Sequence, residues 1–130
     1  MAKFGRTALH MACRAGDASQ VISIVESGCD IDKLDDHGFS PLYTAALMGQ
    51  AACCEALLSK KANISTQDLG LLTPLHIASE KGHIEVVALL LGRGADTGAV
   101  DSIGRTPQAW AEAKGHQDVV AALQNYNSKP

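Results

Sequence analysis

The sequence predicts an all-α solenoid of stacked helix–turn–helix units, and three observations predict it. Glycine recurs every 33 residues at Gly16, Gly49, Gly82 and Gly115, and Ala12, Ala45, Ala78 and Ala111 keep the same step. Thr7, Ser40, Thr73 and Thr106 keep it too, the last three each followed by proline. Apolar residues make up 46% of the chain but aromatic ones only 4%, so the core is built from Ala, Val, Leu and Ile, which suits closely packed helices. A chain of 130 residues holds about four such units and no second domain. The units read as residues 2–34, 35–67, 68–100 and 101–126 of one domain spanning 1–130, with a short disordered tail at 127–130.

Within each unit the hydroxyl residue caps free backbone N–H groups, and proline at the first helical position loses no hydrogen bond. First helices are predicted over 7–15, 40–48, 73–81 and 106–114, each ended by the recurring glycine, because a left-handed residue after a helix is cheap only for glycine. Second helices are predicted over 17–27, 50–60, 83–92 and 116–125. Ile84, Val87, Leu90 and Leu91 show the spacing of a buried helical stripe. Gly28 and Gly94 stop two of these helices, but Lys61 stands at the same place in the second unit, so that exit should differ or carry strain. In the last unit Gln108 replaces the core leucine, Ala109 replaces a histidine and Gln124 replaces an apolar residue, the pattern of a polar C-terminal cap. Capping of the first unit is partial: Asp17, Ser19, Gln20 and Ser23 are polar where the third unit has His83, Glu85, Val86 and Leu89. Either a small complete protein or a domain of a longer one fits this pattern.

The third unit carries Thr73-Pro74-Leu75-His76-Ile77-Ala78, then Gly82-His83-Ile84-Glu85-Val86-Val87, Leu89-Leu90-Leu91 and Gly94-Ala95-Asp96. These residues resemble the ankyrin repeat, and the resemblance covers residues 2 to 126. It implies an ankyrin-repeat solenoid in which L-shaped units of two antiparallel helices carry a β-hairpin-like finger. It also implies that His10 and His76 hydrogen-bond the capping region and the neighbouring loop. Gly5, Gly38 and Gly104 mark the finger turn, where the third unit has Leu71 with Gly70 one place early, so either Leu71 is strained or the turn is rearranged around Gly70, and a locally altered finger is expected at 68–72.

Several functions are disfavoured by the residues themselves. With 11 basic and 14 acidic side chains the net charge is −3, a poor match to nucleic acid or anionic lipid. The longest apolar runs, such as 86–91, are far shorter than a spanning helix, and no secretory leader is legible, which points to the cytoplasm or nucleus. Cys13, Cys29, Cys53 and Cys54 occupy places where other units have small or apolar residues, and no cysteine or histidine set has zinc spacing. They read as apolar filler, with adjacent Cys53-Cys54 as a redox-sensitive alternative. His10 and His76 share one register and His83 and His116 another, and Asp35, Asp68 and Asp101 recur as turn formers, so each set is spread along the repeat and neither converges on one catalytic centre. No catalytic residue, metal or cofactor is expected, and the chain is not read as an enzyme.

What the repeat leaves unassigned is the finger tips and the outer side of the first helices, which in ankyrin arrays form the concave face that meets partners. Mapped onto this chain, that face takes Lys3, Phe4 and Arg6, then Asp36, His37 and Phe39, then Leu69, Gly70 and Leu72, and finally Ser102, Ile103 and Arg105. The first helices add Arg14 and Ala15, Leu47 and Met48, Glu80 and Lys81, and Ala113 and Lys114. Apolar residues at such sites, edged by Arg6, Arg14, Lys81 and Arg105, have the character of a partner surface, and packing between neighbouring fingers is the competing reading. The expected function is a protein–protein interaction module, with a small stoichiometric inhibitor or regulator of a partner enzyme as the alternative. A monomer is the expected state, and self-association through the first unit's exposed face is the other possibility.

Overall fold

A hydroxyl side chain opens every first helix in the computed structural model, which describes residues 5–128. The side-chain oxygens of Thr7, Ser40, Thr73 and Thr106 accept from the backbone N–H groups of His10, Tyr43, His76 and Ala109. The helices so started pair with the helices that follow them: α1 (Ala8–Ala15) with α2 (Ala18–Glu26), α3 (Pro41–Leu47) with α4 (Ala51–Ser59), α5 (Pro74–Lys81) with α6 (Ile84–Gly92), and α7 (Pro107–Ala113) with α8 (Gln117–Asn127). No strand occurs among the described residues. First helices pack on first helices and second on second, giving two layers along the stack. α8 runs on through Asn127, whose Oδ1 accepts from Thr97 Oγ1 at 2.7 Å, so the helix persists where a frayed tail was expected to begin.

The core follows the repeat. Leu9, Leu42 and Leu75 from the first helices and Val21, Leu57, Leu90 and Leu123 from the second are fully buried. Between successive first helices lie Ala12, Ala45, Ala78 and Ala111, all buried and small enough for the backbones to approach closely. Cys13, Cys53 and Cys54 are buried fillers as expected, but Cys29 is exposed, unlike its equivalents Ala62 and Ala95.

Two independent constraints require the recurring glycine. Gly82 ends α5 at φ 74°, and a Cβ there would sit 2.6 Å from Nδ1 of His116, the residue that opens the next unit's second helix. Gly49 meets His83 in the same way, at 2.7 Å.

Two other residues take the left-handed conformation without being glycine: Lys61 at φ 70° and Leu71 at φ 65°. At Lys61 the helix exit keeps its form, since Lys61 N donates to the Leu58 carbonyl at 3.0 Å just as Gly94 N donates to Leu91 at 3.1 Å, and the strain falls on Lys61. The finger at 68–72 is not altered, contrary to the sequence expectation. Asp68 N donates to the Leu72 carbonyl at 2.9 Å, matching Asp35 to Phe39 and Asp101 to Arg105, both at 3.0 Å. Asp68 Oδ1 accepts from Gly70 N at 2.8 Å and Leu72 N at 2.9 Å, which holds the turn in place and forces Leu71 into positive φ.

Lys61→Gly should raise stability by about 1 kcal/mol through relief of the left-handed strain, read as the urea midpoint. Leu75→Ala and Leu90→Ala should each lower it by roughly 2–5 kcal/mol, by leaving cavities under fully buried side chains.

Candidate partner-binding face

The second, third and fourth fingers are each built on an aspartate. Asp35, Asp68 and Asp101 each use Oδ1 to accept two backbone N–H groups, from residues two and four places on, at 2.8–3.0 Å. The fingers also touch one another. Ser102 N donates to the Gly70 carbonyl at 2.9 Å, tying the fourth finger to the third, and Leu69 lies so close over Gly38 that a Cβ there would meet Leu69 Cγ at 3.2 Å.

The first helices hold these fingers from behind. His10 and His76 accept from Thr7 N and Thr73 N at Nδ1, each at 3.1 Å. Their Nε2 atoms donate to the carbonyls of Phe39 and Arg105 at 2.8 and 2.9 Å, in the next unit's finger. Both partners fix one tautomer, the neutral ring with its proton on Nε2. Burial pushes His76 below the ordinary histidine value, against the opposing pull of the Arg105 carbonyl and the Asp101 carboxylate. In the second unit Tyr43 stands in the histidine place and its hydroxyl donates to Asp68 Oδ2 at 2.7 Å. In the fourth, Trp110 Nε1 donates to Asp101 Oδ2 at 2.8 Å. Burial works against charge on Asp101, but hydrogen bonds from Arg105 N, Trp110 Nε1 and Ile103 N outweigh it and hold the carboxyl below its usual range.

Sequence reasoning missed Tyr43 and Trp110 as finger supports. Tyr43 could have been found, since it occupies the register of His10 and His76. Trp110 could not, because it lies one place later and reaches Asp101 only through the packing of α7.

The expected site residues divide into two groups. Leu69 is 81% exposed, Ile103 65% and Met48 40%, and Leu71, which was not among those expected, is 44% exposed. Phe39, Leu47 and Leu72 instead pack on the core, and the Phe39 ring stacks on Tyr43 with centroids 4.5 Å apart. His37 tilts against Phe39 at 5.4 Å, and the Arg105 guanidinium sits 4.7 Å over the Trp110 ring. Glu80 pairs with the adjacent Lys81 at 3.2 Å, and Arg6 and Arg14 are half-buried. Phe4 and Lys3 lie outside the described residues.

Among the described residues no group of three or more His, Cys, Asp or Glu side chains could hold a metal ion. Burial pushes the thiols of Cys13, Cys53 and Cys54 up, Cys54 to about 12, which disfavours their thiolate forms. No helix of the described residues is long and apolar enough to cross a membrane.

A family model described as ankyrin repeats in three copies matches residues 1–68 and again 67–130. No curated protein sequence matches the chain.

The depressed His76 value carries a pH dependence whose sign is determined. The folded ring stays neutral while the unfolded one gains a proton below its ordinary value of 6.5, so this stability is complete above that pH and is lost as the pH falls through the folded value. Asp101 acts in the same sense, but only from 3.8 downward. The urea midpoint should therefore drop between about pH 7.5 and about pH 5, and His76→Gln should show a smaller drop than the wild type.

Proposed function

The chain belongs to the ankyrin-repeat family, whose members are generally protein–protein interaction modules, and from that premise we propose that it binds a protein partner through its concave face, chiefly with the third and fourth fingers. Leu69, Leu71 and Ile103 are the aliphatic contacts of this site, with Met48 farther along the first helices and Arg105 and Lys81 as its basic edge. Phe39, Leu47 and Leu72 act from behind, as the packing that holds the fingers rigid. Recognition then needs little backbone change, because the aspartates and the histidine, tyrosine and tryptophan donors already set the finger positions.

Leu71 is the observation that carries the reading. Gly5, Gly38 and Gly104 occupy its register without strain, whereas Leu71 sits at φ 65° with its side chain half exposed. Both features oppose stability, by roughly 1–2 kcal/mol for the backbone alone, and a side chain projecting to meet a partner is a reason to tolerate them. The chain is proposed as a non-enzymatic binder of the cytoplasm or nucleus.

The test separates binding from folding. Leu71→Gly should raise the urea midpoint yet weaken capture of the partner isolated with the wild-type chain, and Leu69→Ser should weaken capture with stability unchanged. Phe39→Ala should instead lower stability, because it removes the ring stacked on Tyr43. Capture unaffected by both leucine variants would move the site elsewhere. If the captured protein is an enzyme, its turnover at equimolar chain separates a regulator from a passive binder.

A further inference from the structure

The fourth finger presents a guanidinium that is held in place without an anionic partner. At its register Phe39 and Leu72 pack on the core, but Arg105 is exposed and its Cζ lies 4.7 Å over the centre of the Trp110 ring. That ring is itself fixed, because Nε1 donates to Oδ2 of the buried Asp101 at 2.8 Å. The Arg105 main chain is fixed as well: its N donates to Asp101 Oδ1 and its carbonyl accepts from His76 Nε2, each at 2.9 Å. Among the described residues no carboxylate takes the guanidinium, and the ion pairs that form use Lys60, Lys81 and Arg93. A cation held by an aromatic face engages it through charge, so the fork of N–H donors stays available to an acceptor. The acids nearby are already occupied. Asp68 and Asp101 each have Oδ1 taken by two backbone N–H groups and Oδ2 by the Tyr43 hydroxyl or the Trp110 ring N–H. Glu80 pairs with Lys81, and Glu112 accepts from Gln108 at 3.5 Å.

We infer that the partner segment met by the concave face is an acidic, aliphatic peptide stretch, and that Arg105 takes one of its carboxylates in a bidentate pair beside the Ile103 contact. This rests on the concave-face reading and adds the chemistry of the partner to it. A planar fork of donors matches a carboxylate in shape as well as charge. Exposed Ile103 stands two residues earlier on the same finger, so the two contacts select an acid next to an aliphatic side chain. Because Trp110 already orients the guanidinium, less side-chain freedom is lost on binding. A phosphate fits less well. It carries nearly twice the charge and would meet one oriented cation, with Lys114 at the far end of α7 and the Asp101 carboxylate bonded to the ring on which Arg105 rests.

The test is to pan a displayed library of random short peptides against the full chain and titrate synthetic copies of those recovered. The expected peptides set Asp or Glu beside Leu, Ile or Val, and their affinity falls as salt rises. Changing that acid to its amide should weaken binding to the wild type about tenfold or more, yet leave binding to Arg105→Gln nearly unchanged, the signature of a direct pair. Arg105→Lys should recover only part of the loss, since an ammonium lacks the planar fork. Urea midpoints of both variants check the finger, whose bonds at this residue are made by the main chain. Recovered peptides without acids, a library that yields no binder, or amide and Arg105→Gln losses that simply multiply overturn the inference. So does tighter binding when phosphoserine replaces the acid. If Leu69→Ser and Leu71→Gly weaken the peptides while the carboxylate makes no difference, the concave-face reading stands and this inference falls; if the leucine variants also have no effect, both fall.

Discussion

Close approach of the first helices is the constraint on which the rest of this structure depends. Ala12, Ala45, Ala78 and Ala111 are buried where α1, α3, α5 and α7 meet, and no larger side chain stands in that column. Because the backbones come so near, polar groups of one unit reach the next. His10 spans to Phe39, Tyr43 to Asp68 and His76 to Arg105, while at the other end of the first helices Gln50 reaches the Arg14 carbonyl and His83 the Leu47 carbonyl. Each bond satisfies a finger carbonyl, a finger carboxylate or a helix-end carbonyl that a solitary unit would leave to water. Stability is thus shared between neighbours, as expected of a one-dimensional array in which no unit buries its apolar face alone.

The recurring glycine ties local and long-range requirements together. At Gly49 and Gly82 the chain turns through positive φ, and the vacant Cβ position is where the next unit's histidine ring passes. A left-handed asparagine would meet the first requirement and fail the second. The ion pairs on the outer layer, Lys60 with Glu26 and Arg93 with Glu55, also link successive units, but all four side chains are largely exposed and such pairs contribute little. The array is held together by its buried column and its inter-unit hydrogen bonds.

Strain sits where the repeat is violated. Lys61 and Leu71 show that the tertiary frame overrides a residue's own preference, because the surrounding hydrogen bonds are those of the unviolated units. At Lys61 the side chain lies on a helix exit and the exception has no visible return. At Leu71 it is exposed on the third finger, as is Leu69, and Ile103 is exposed on the fourth finger, which a backbone hydrogen bond joins to the third. An exposed leucine held in a strained backbone conformation is a different feature from a leucine that is merely exposed.

Periodicity alone determined the helix pairs, their order, the buried column and the glycine turns, because the same residues recur at the same phase and each must meet the same neighbour. It located Lys61 and Leu71 as exceptions, but not how the chain would absorb them, since that depends on whether nearby bonds hold or yield. Exposure of the finger residues was likewise beyond a one-dimensional reading. Phe39 and Leu69 are both apolar finger residues, yet one stacks on Tyr43 and the other projects, a difference that the folded chain decides. The support from Trp110 and the uncovered positions of Met11 and Cys29 were decided only by the stack. Burial at any position is a property of what the adjoining unit places over it, and no residue carries that information within itself.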